Sequence, residues 1–235
     1  MLGVTIEVNG VSKHTYNDWR LGWTNVEISS PKAKTYTIEI PGSDGVLDLT
    51  ESLLGDIKYQ NRKIKLSFDV EGDYMLWQEF YSEYLNFCHG QKARIILDTD
   101  LSYYWIGRIN LTSGKEEYRY GEVTLEIDAE PYKYDINNSY KDWLWDPFNF
   151  ETGVIREYKD LVVNGTLEVI IQGSRKVQYL KVTSSAAMTV TFNSKNYTVP
   201  KGTSELLEVK LVQGENKLIF TGNGTISIDY RGGSL

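Results

Sequence analysis

The sequence predicts an all-β protein with one α-helix, built as two β-sandwich domains, and three observations predict it. Most apolar residues recur with period two, one stretch alone keeps the 3.6-residue period of a helix, and charge and rhythm both change near Pro131-Tyr132. The chain has 235 residues, 41% of them apolar, with 32 acidic against 25 basic side chains and a net charge of −7. A chain of this length makes one large domain or two small ones and buries enough surface to fold without a metal or a disulfide.

In the amino-terminal part, Val4-Thr5-Ile6-Glu7-Val8 alternates apolar and polar residues, as do Tyr36–Ile40, Ile64–Val70 and Val123–Ile127. Each pattern is that of a strand with one buried face. Asp73–Gly90 breaks the alternation: Leu76, Phe80, Tyr84 and Phe87 line one side of a helix, with Gln78, Glu79, Ser82, Glu83 and Asn86 opposite. Asp73 is placed to cap its start, and Gly90 stands where a C′ glycine would end it. The aromatic stripe reads as packing.

Pro131 cannot continue a central ladder, and Lys133–Tyr140 is polar and irregular. The expected organisation is therefore residues 1–132 with a helix at 73–89, a connecting segment 133–150, and a second domain 151–235. Trp143–Phe150, dense in aromatics, is expected at the seam between the domains. Further strands are expected at Thr166–Ile171, Gln178–Thr183, Met188–Phe192, Glu205–Val212, Lys217–Thr221 and Thr225–Tyr230. Turns are expected at Asn164-Gly165, Gly173-Ser174, Gly214-Glu215-Asn216 and Asn223-Gly224. Short strands at this spacing suggest a sandwich.

Charge divides unevenly. Residues 1–132 hold 13 basic and 21 acidic side chains, a net −8, whereas residues 133–235 hold 12 and 11, a net +1. The balance is too acidic for a nucleic-acid wrapper and too apolar for disorder. The amino terminus has no basic start followed by an apolar stretch, and no run approaches a membrane span, so a soluble protein made in a cytoplasm is expected.

Chemistry-bearing patterns are scarce. His14 and His89 are the only imidazoles and lie outside metal-binding spacings, and no G-x-S-x-G elbow, Walker loop or G-x-G-x-x-G is present. Cys88, the single cysteine, excludes a disulfide framework and reads as a buried structural thiol. Asp98 and Asp100 resemble the opening of a calcium loop but lack its glycine and closing glutamate, and Glu116-Glu117 is a chance carboxylate pair. Five Asn-x-Ser/Thr triplets, at Asn110, Asn137, Asn164, Asn196 and Asn223, read as turn chemistry. No catalytic residue, cofactor site or metal site is expected.

Residues 34–70 carry the most information. Pro41 ends one strand, Gly42 and Gly45 permit a turn, and Asp48 with Glu51 three places on reads as a capping-box analogue for one helical turn closed by Gly55. Alternation resumes at Ile57-Lys58-Tyr59, and Asn61-Arg62 leads into Lys63–Val70. The expectation is an ordered loop packed by Val46, Leu47, Leu49, Leu53 and Leu54.

The runs P-G-S-D-G-V-L-D-L-T-E and Y-Q-N-R-K-I-K-L-S-F resemble the amino-terminal domain of siphophage distal tail (Dit) proteins. Val4–Trp19, the helix at 73–89, the closing Glu130-Pro131-Tyr132 and the terminus Ile226–Leu235 are similar too, so the resemblance spans nearly the whole chain. It implies an amino-terminal ring-forming, tail-tube-like sandwich, of which six copies make a ring, and a carboxy-terminal galectin-like sandwich. At this length the chain resembles the compact form without an inserted carbohydrate-binding module. The implied protein is a non-enzymatic component of a long non-contractile tail, sited at the distal end of the virion. Its ring joins the tail-tube protein to a tail-tip or lysin protein and to receptor-binding machinery, and DNA passes through an acidic lumen. Asp44, Asp48 and Leu49 are the candidate subunit-contact residues. The alternative is a carbohydrate-binding adhesion module contacting the host wall.

Overall fold

Inward-pointing Val4, Ile6 and Val8 make β1 (Val4–Val8) a strand with one fully buried face. The structure, a computed structural model, describes residues 2–70, 77–117, 120–136 and 158–235. The chain divides into two compact units, one of Met1–Asp100 with Tyr104–Lys133 and one of Leu101–Tyr103 with Tyr134–Ser234.

In the first unit β1 is followed by β2 (Val11–His14), α1 (Thr15–Trp19), β3 (Leu21–Ile28), β4 (Thr37–Glu39), β5 (Val46–Asp48) and α2 (Thr50–Leu54). Then come β6 (Arg62–Val70), α3 (Trp77–Cys88), β7 (Lys92–Leu97), β8 (Tyr103–Glu117) and β9 (Tyr120–Ala129). The main sheet has the antiparallel order β2-β1-β7-β8-β9-β6-β3. Its inward residues, among them Ile6, Ile95, Ile109, Leu125, Ile127, Ile64 and Phe68, all enter one core with Tyr84 and Cys88 of α3. One sheet and the inner side of α3 thus share a single core. Trp19 locks α3 in place, its ring edge-on to Tyr84 at 4.6 Å and to Phe87 at 5.3 Å.

The helical stripe appears as expected at Tyr84 and Phe87, and Gly90 closes α3 in the left-handed region. Leu76 and the Asp73 cap lie outside the described residues. A helix that the sequence reading missed, α1, begins at His14, whose Nδ1 accepts from the amides of Tyr16 and Asn17. Histidine is not among the usual capping residues, which is why the start went unread.

The second unit holds β10 (Lys133–Asp135), β11 (Leu161–Gly173), β12 (Gln178–Ser184), β13 (Met188–Phe192), β14 (Lys195–Val199), β15 (Gly202–Leu211), β16 (Gly214–Asp229) and β17 (Gly233–Ser234). Strand order is β14-β13-β16-β12-β15, with β11 also pairing β16. Its core is separate from the first and includes Ile171, Val182, Val190, Phe220, Ile228 and Tyr230. The turn expected at 214–216 falls just before it, at Val212-Gln213, and Gly214, Glu215 and Asn216 already belong to β16, paired with Gly173, Gln172 and Ile171. Asn216, almost fully buried, donates from Nδ2 to the carbonyls of Val212, Gly214 and Ile171 and accepts from the Val212 amide at Oδ1.

The turns expected at Asn164-Gly165 and Asn223-Gly224 do not form. Strands β11 and β16 run straight through both, with Asn164 opposite Asn223 and Gly165 opposite Gly222. Gly222 sits at φ +150, and a Cβ there would lie 2.7 Å from the Met188 Cβ. The glycines therefore sit inside a continuous paired ribbon, Gly222 where it passes close against Met188 of β13; they do not reverse the chain. The two strands expected at 217–221 and 225–230 are accordingly parts of β16. The aromatic cluster 143–150, and the connecting segment from residue 137 on, lie outside the described residues.

Candidate functional site

Between β3 and β6 the chain leaves the sheet as an arm. Its root is a short ladder: the Lys34 amide donates to Lys58 O, the Gln60 amide to Lys32 O, both at 2.8 Å, and Ala33 bridges Tyr59. Beyond it β4 and β5 pair with Ile38 opposite Leu47 and Glu39 opposite Val46, and Ser43 N closes the tip on Ile40 O. Thr50 pins this ribbon to α2. It is buried, its Oγ1 accepts from the Tyr36 amide, and its own amide and hydroxyl donate to Asp48 Oδ1.

Those bonds assign Asp48 a local duty. The Thr50 hydroxyl, and then the Thr50 amide, hold its carboxyl below the ordinary carboxylate range. Leu49, half-buried, is the N-cap position of α2, so Asp48 precedes the cap and the reciprocal capping box expected with Glu51 is absent. The single helical turn ends at Gly55 as expected. Asp44 lies exposed at the arm's tip, apart from both.

The expectation that this loop packs on itself is overturned. Tyr36, Ile38, Ile40, Val46, Leu47 and Leu53 are all exposed, Leu53 at 63% and Val46 at 57%. A two-stranded ribbon with solvent on both faces has too little burial to be stable by its own contacts. An apolar patch of this kind on an ordered arm marks an interaction surface. Residues 35–57 also hold five acidic side chains, Glu39, Asp44, Asp48, Glu51 and Asp56, and no basic one.

At the arm's root stands Arg62, the first residue of β6. It occupies the inward phase shared with Ile64, Leu66 and Phe68 and is only 7% exposed. Its guanidinium carbon lies 4.9 Å from the ring centre of Trp105, and Nε has no hydrogen-bond acceptor among the described residues. Burial pulls its pKa below the ordinary value. Nearby, the rings of Tyr59 and Tyr132 meet edge-on at 6.1 Å. The sequence reading passed over Arg62, although a signal existed: a cation in phase with three apolar residues.

Both histidines are engaged in the fold. His14 Nε2 lies 3.1 Å from Asp98 Oδ2, which also accepts from the Gly3 amide, and His89 Nδ1 accepts from the Leu111 amide. A Cβ on Gly3 would collide with the His14 ring. In the second unit Phe192, Phe220 and Tyr230 are buried and Tyr158 and Tyr197 pack against the core, which leaves Tyr179 exposed. No group of three or more His, Cys, Asp or Glu is arranged to hold a metal ion among the described residues, and none of their helices is long and apolar enough to cross a membrane.

No protein-family model matches the sequence, and no curated protein matches it. Among solved structures the chain matches the Dit protein (gp 19.1) of SPP1, described as a paradigm of the hub adsorption apparatus in phages that infect Gram-positive bacteria. The TM-score is 0.61 at 14% identity, over 97% of this chain and 98% of that one. At that identity the likeness is one of fold, and from end to end the fold this chain adopts is that of the distal tail (Dit) proteins.

Proposed function

We propose that this chain is a structural hub subunit of a long non-contractile phage tail. Six copies close into a ring through their first units, and the second units face outward to the tail-tip, lysin or receptor-binding proteins. The tail-tube protein stacks on the opposite side, and the protein acts at the distal end of the virion, without catalytic function. The observation that carries this reading is the arm: an ordered, apolar ribbon with no core of its own needs cover, and a second copy supplies it. Ring closure also covers the sheet edges at β2 and β3.

Charge supports a passage for DNA. Six first parts at −8 each gather 48 formal negative charges, and duplex DNA carries one negative charge per roughly 1.7 Å of axis, so an acidic bore repels what a basic one would hold. The outward face of β6 and β9 is a candidate lining. Asp69 and Glu122 stand directly opposite each other there, both exposed, while further along Glu126 and Asp128 face Lys65 and Lys63, and Lys63 pairs with Glu126. Like charges across a ladder cost stability, so the placement of Asp69 against Glu122 suits a task other than folding.

Negative-stain electron microscopy of the purified protein, with mass photometry, tests the proposal. Rings of six or stacked pairs of such rings are expected. A chain that stays monomeric at every concentration, or a ring with a neutral or basic bore, refutes it.

A further inference from the structure

Arg62 presents an unsolved problem of physical chemistry. A guanidinium carries five N–H donors, and burying it without acceptors costs several kcal/mol unless something pairs with it. Among the described residues its one partner is the face of Trp105, and Nε is the donor left buried without an acceptor. Contact with the indole ring uses none of the N–H donors, which stay available for a carboxylate to accept bidentately. The residue is held by the sheet, 93% covered, and so is already organised to receive an acceptor.

The complementary group is on the same surface. The arm carries Glu39, Asp44 and Glu51, all exposed, and no side-chain hydrogen bond or ion pair of these three occurs among the described residues. Residues 35–57 include no cation to neutralise them. Within one copy the arm runs away from its root, and none of its carboxylates meets Arg62. A convex, acidic and apolar arm and a cationic, aromatic root on one molecule are two different patches that fit each other. Such a pair makes a head-to-tail contact, the kind that closes rings.

We infer that Arg62, stacked on Trp105, is the receptor for a carboxylate of the arm of a second copy. This rests on the ring-forming reading above and names the contact that fixes its register. The neighbour's apolar residues cover Tyr59 and Tyr132 at the root, and its carboxylate supplies the acceptor that Arg62 lacks.

The test compares wild type, R62M, R62K and the arm variant E39Q/D44N/E51Q in the full chain. Mass photometry and sedimentation equilibrium follow assembly against concentration, and urea unfolding at dilute, monomeric concentration follows stability. R62M should unfold at a urea concentration close to that of wild type, since methionine keeps apolar contact with the Trp105 ring and no hydrogen-bond acceptor inside the copy is lost. It should need at least about tenfold more protein to assemble. R62K, which keeps the charge but loses the fork, should also weaken assembly, and combining R62M with the arm variant should add little to either. A clear loss of monomer stability in R62M overturns the inference, because it places the partner inside the copy. So does assembly weakened by R62M but untouched by the arm variant. Wild-type rings that form equally well with R62M overturn this contact and leave the ring reading standing; a wild type that never assembles overturns both.

Discussion

Cys88 lies on the inward face of α3, and its Sγ–H donates to the carbonyl of Tyr84 one turn earlier. Burial pushes the thiol up to about 12 from its ordinary 9.0. The unfolded chain therefore releases this proton at lower pH than the folded one, so the thiol's share of stability is intact below about pH 9 and is lost as pH rises toward about 12. The advantage of wild type over C88A in urea unfolding should shrink by about 1.4 kcal/mol per pH unit in that window. An advantage unchanged between about pH 8 and about pH 10.5 would contradict the burial argument. At this scale the sequence was informative where a residue type has one dominant habit. A lone cysteine on an apolar stripe reads as buried, and it is. It was uninformative where a side chain does something rare for its kind, as when His14 caps a helix and lies against Asp98, 84 positions away. Arg62 belongs with His14: the deviation was visible in the phase of the strand, but its stacking partner Trp105 is fixed only by the sheet.

Strand periodicity survived the passage to structure wherever one face meets the core, as in β1, β6, β9, β12 and β13. It misled in β4, where Thr37, Ile38 and Glu39 are all exposed and the alternation has no buried face behind it. Period two states that a strand has unlike faces; it does not state that the protein itself covers the apolar one. The same limit explains Asn164-Gly165 and Asn223-Gly224, which suit a tight turn but here lie inside one continuous ladder, because the partner strand continues alongside. For the arm the consequence is a clean separation of folding from assembly. Ile38 and Leu47 are a directly opposed pair, about half exposed, at 52% and 47%. The double substitution I38K/L47K removes little buried area, so monomer stability should change by no more than about 0.5 kcal/mol. Assembly should fail, because four buried lysines per pair of contacts cannot be desolvated against an apolar neighbour. Circular dichroism melts at dilute concentration and mass photometry at high concentration read the two effects. Rings that persist in the double variant would remove the arm from the interface.

On the scale of the whole molecule, the two cores share no residue, and all of the second core lies between Val163 and Tyr230. Strand β16 alone pairs with β11, β12 and β13, which ties that sandwich together within residues 158–235, while β17 pairs back to β10 and Lys176 Nζ donates to the Tyr134 hydroxyl. Charge separates in the same way, −8 in residues 1–132 and +1 in the remainder. A unit with its own core and little net charge has no electrostatic reason to stay apart from other proteins, while strongly acidic units repel one another and assemble only if specific contacts offset that repulsion. On the function proposed above, self-association would belong to the first unit and the arm it carries, and docking of other proteins to the second. Expressed alone, residues 134–235 should fold cooperatively, with a stability of roughly 3–5 kcal/mol for a core of that size, and remain monomeric. Residues 1–133 should retain the capacity to form rings. Sedimentation of the two fragments decides the matter. A carboxy-terminal fragment that self-associates while the amino-terminal one stays monomeric would reverse the assignment and move the search for ring contacts to β11 and β15.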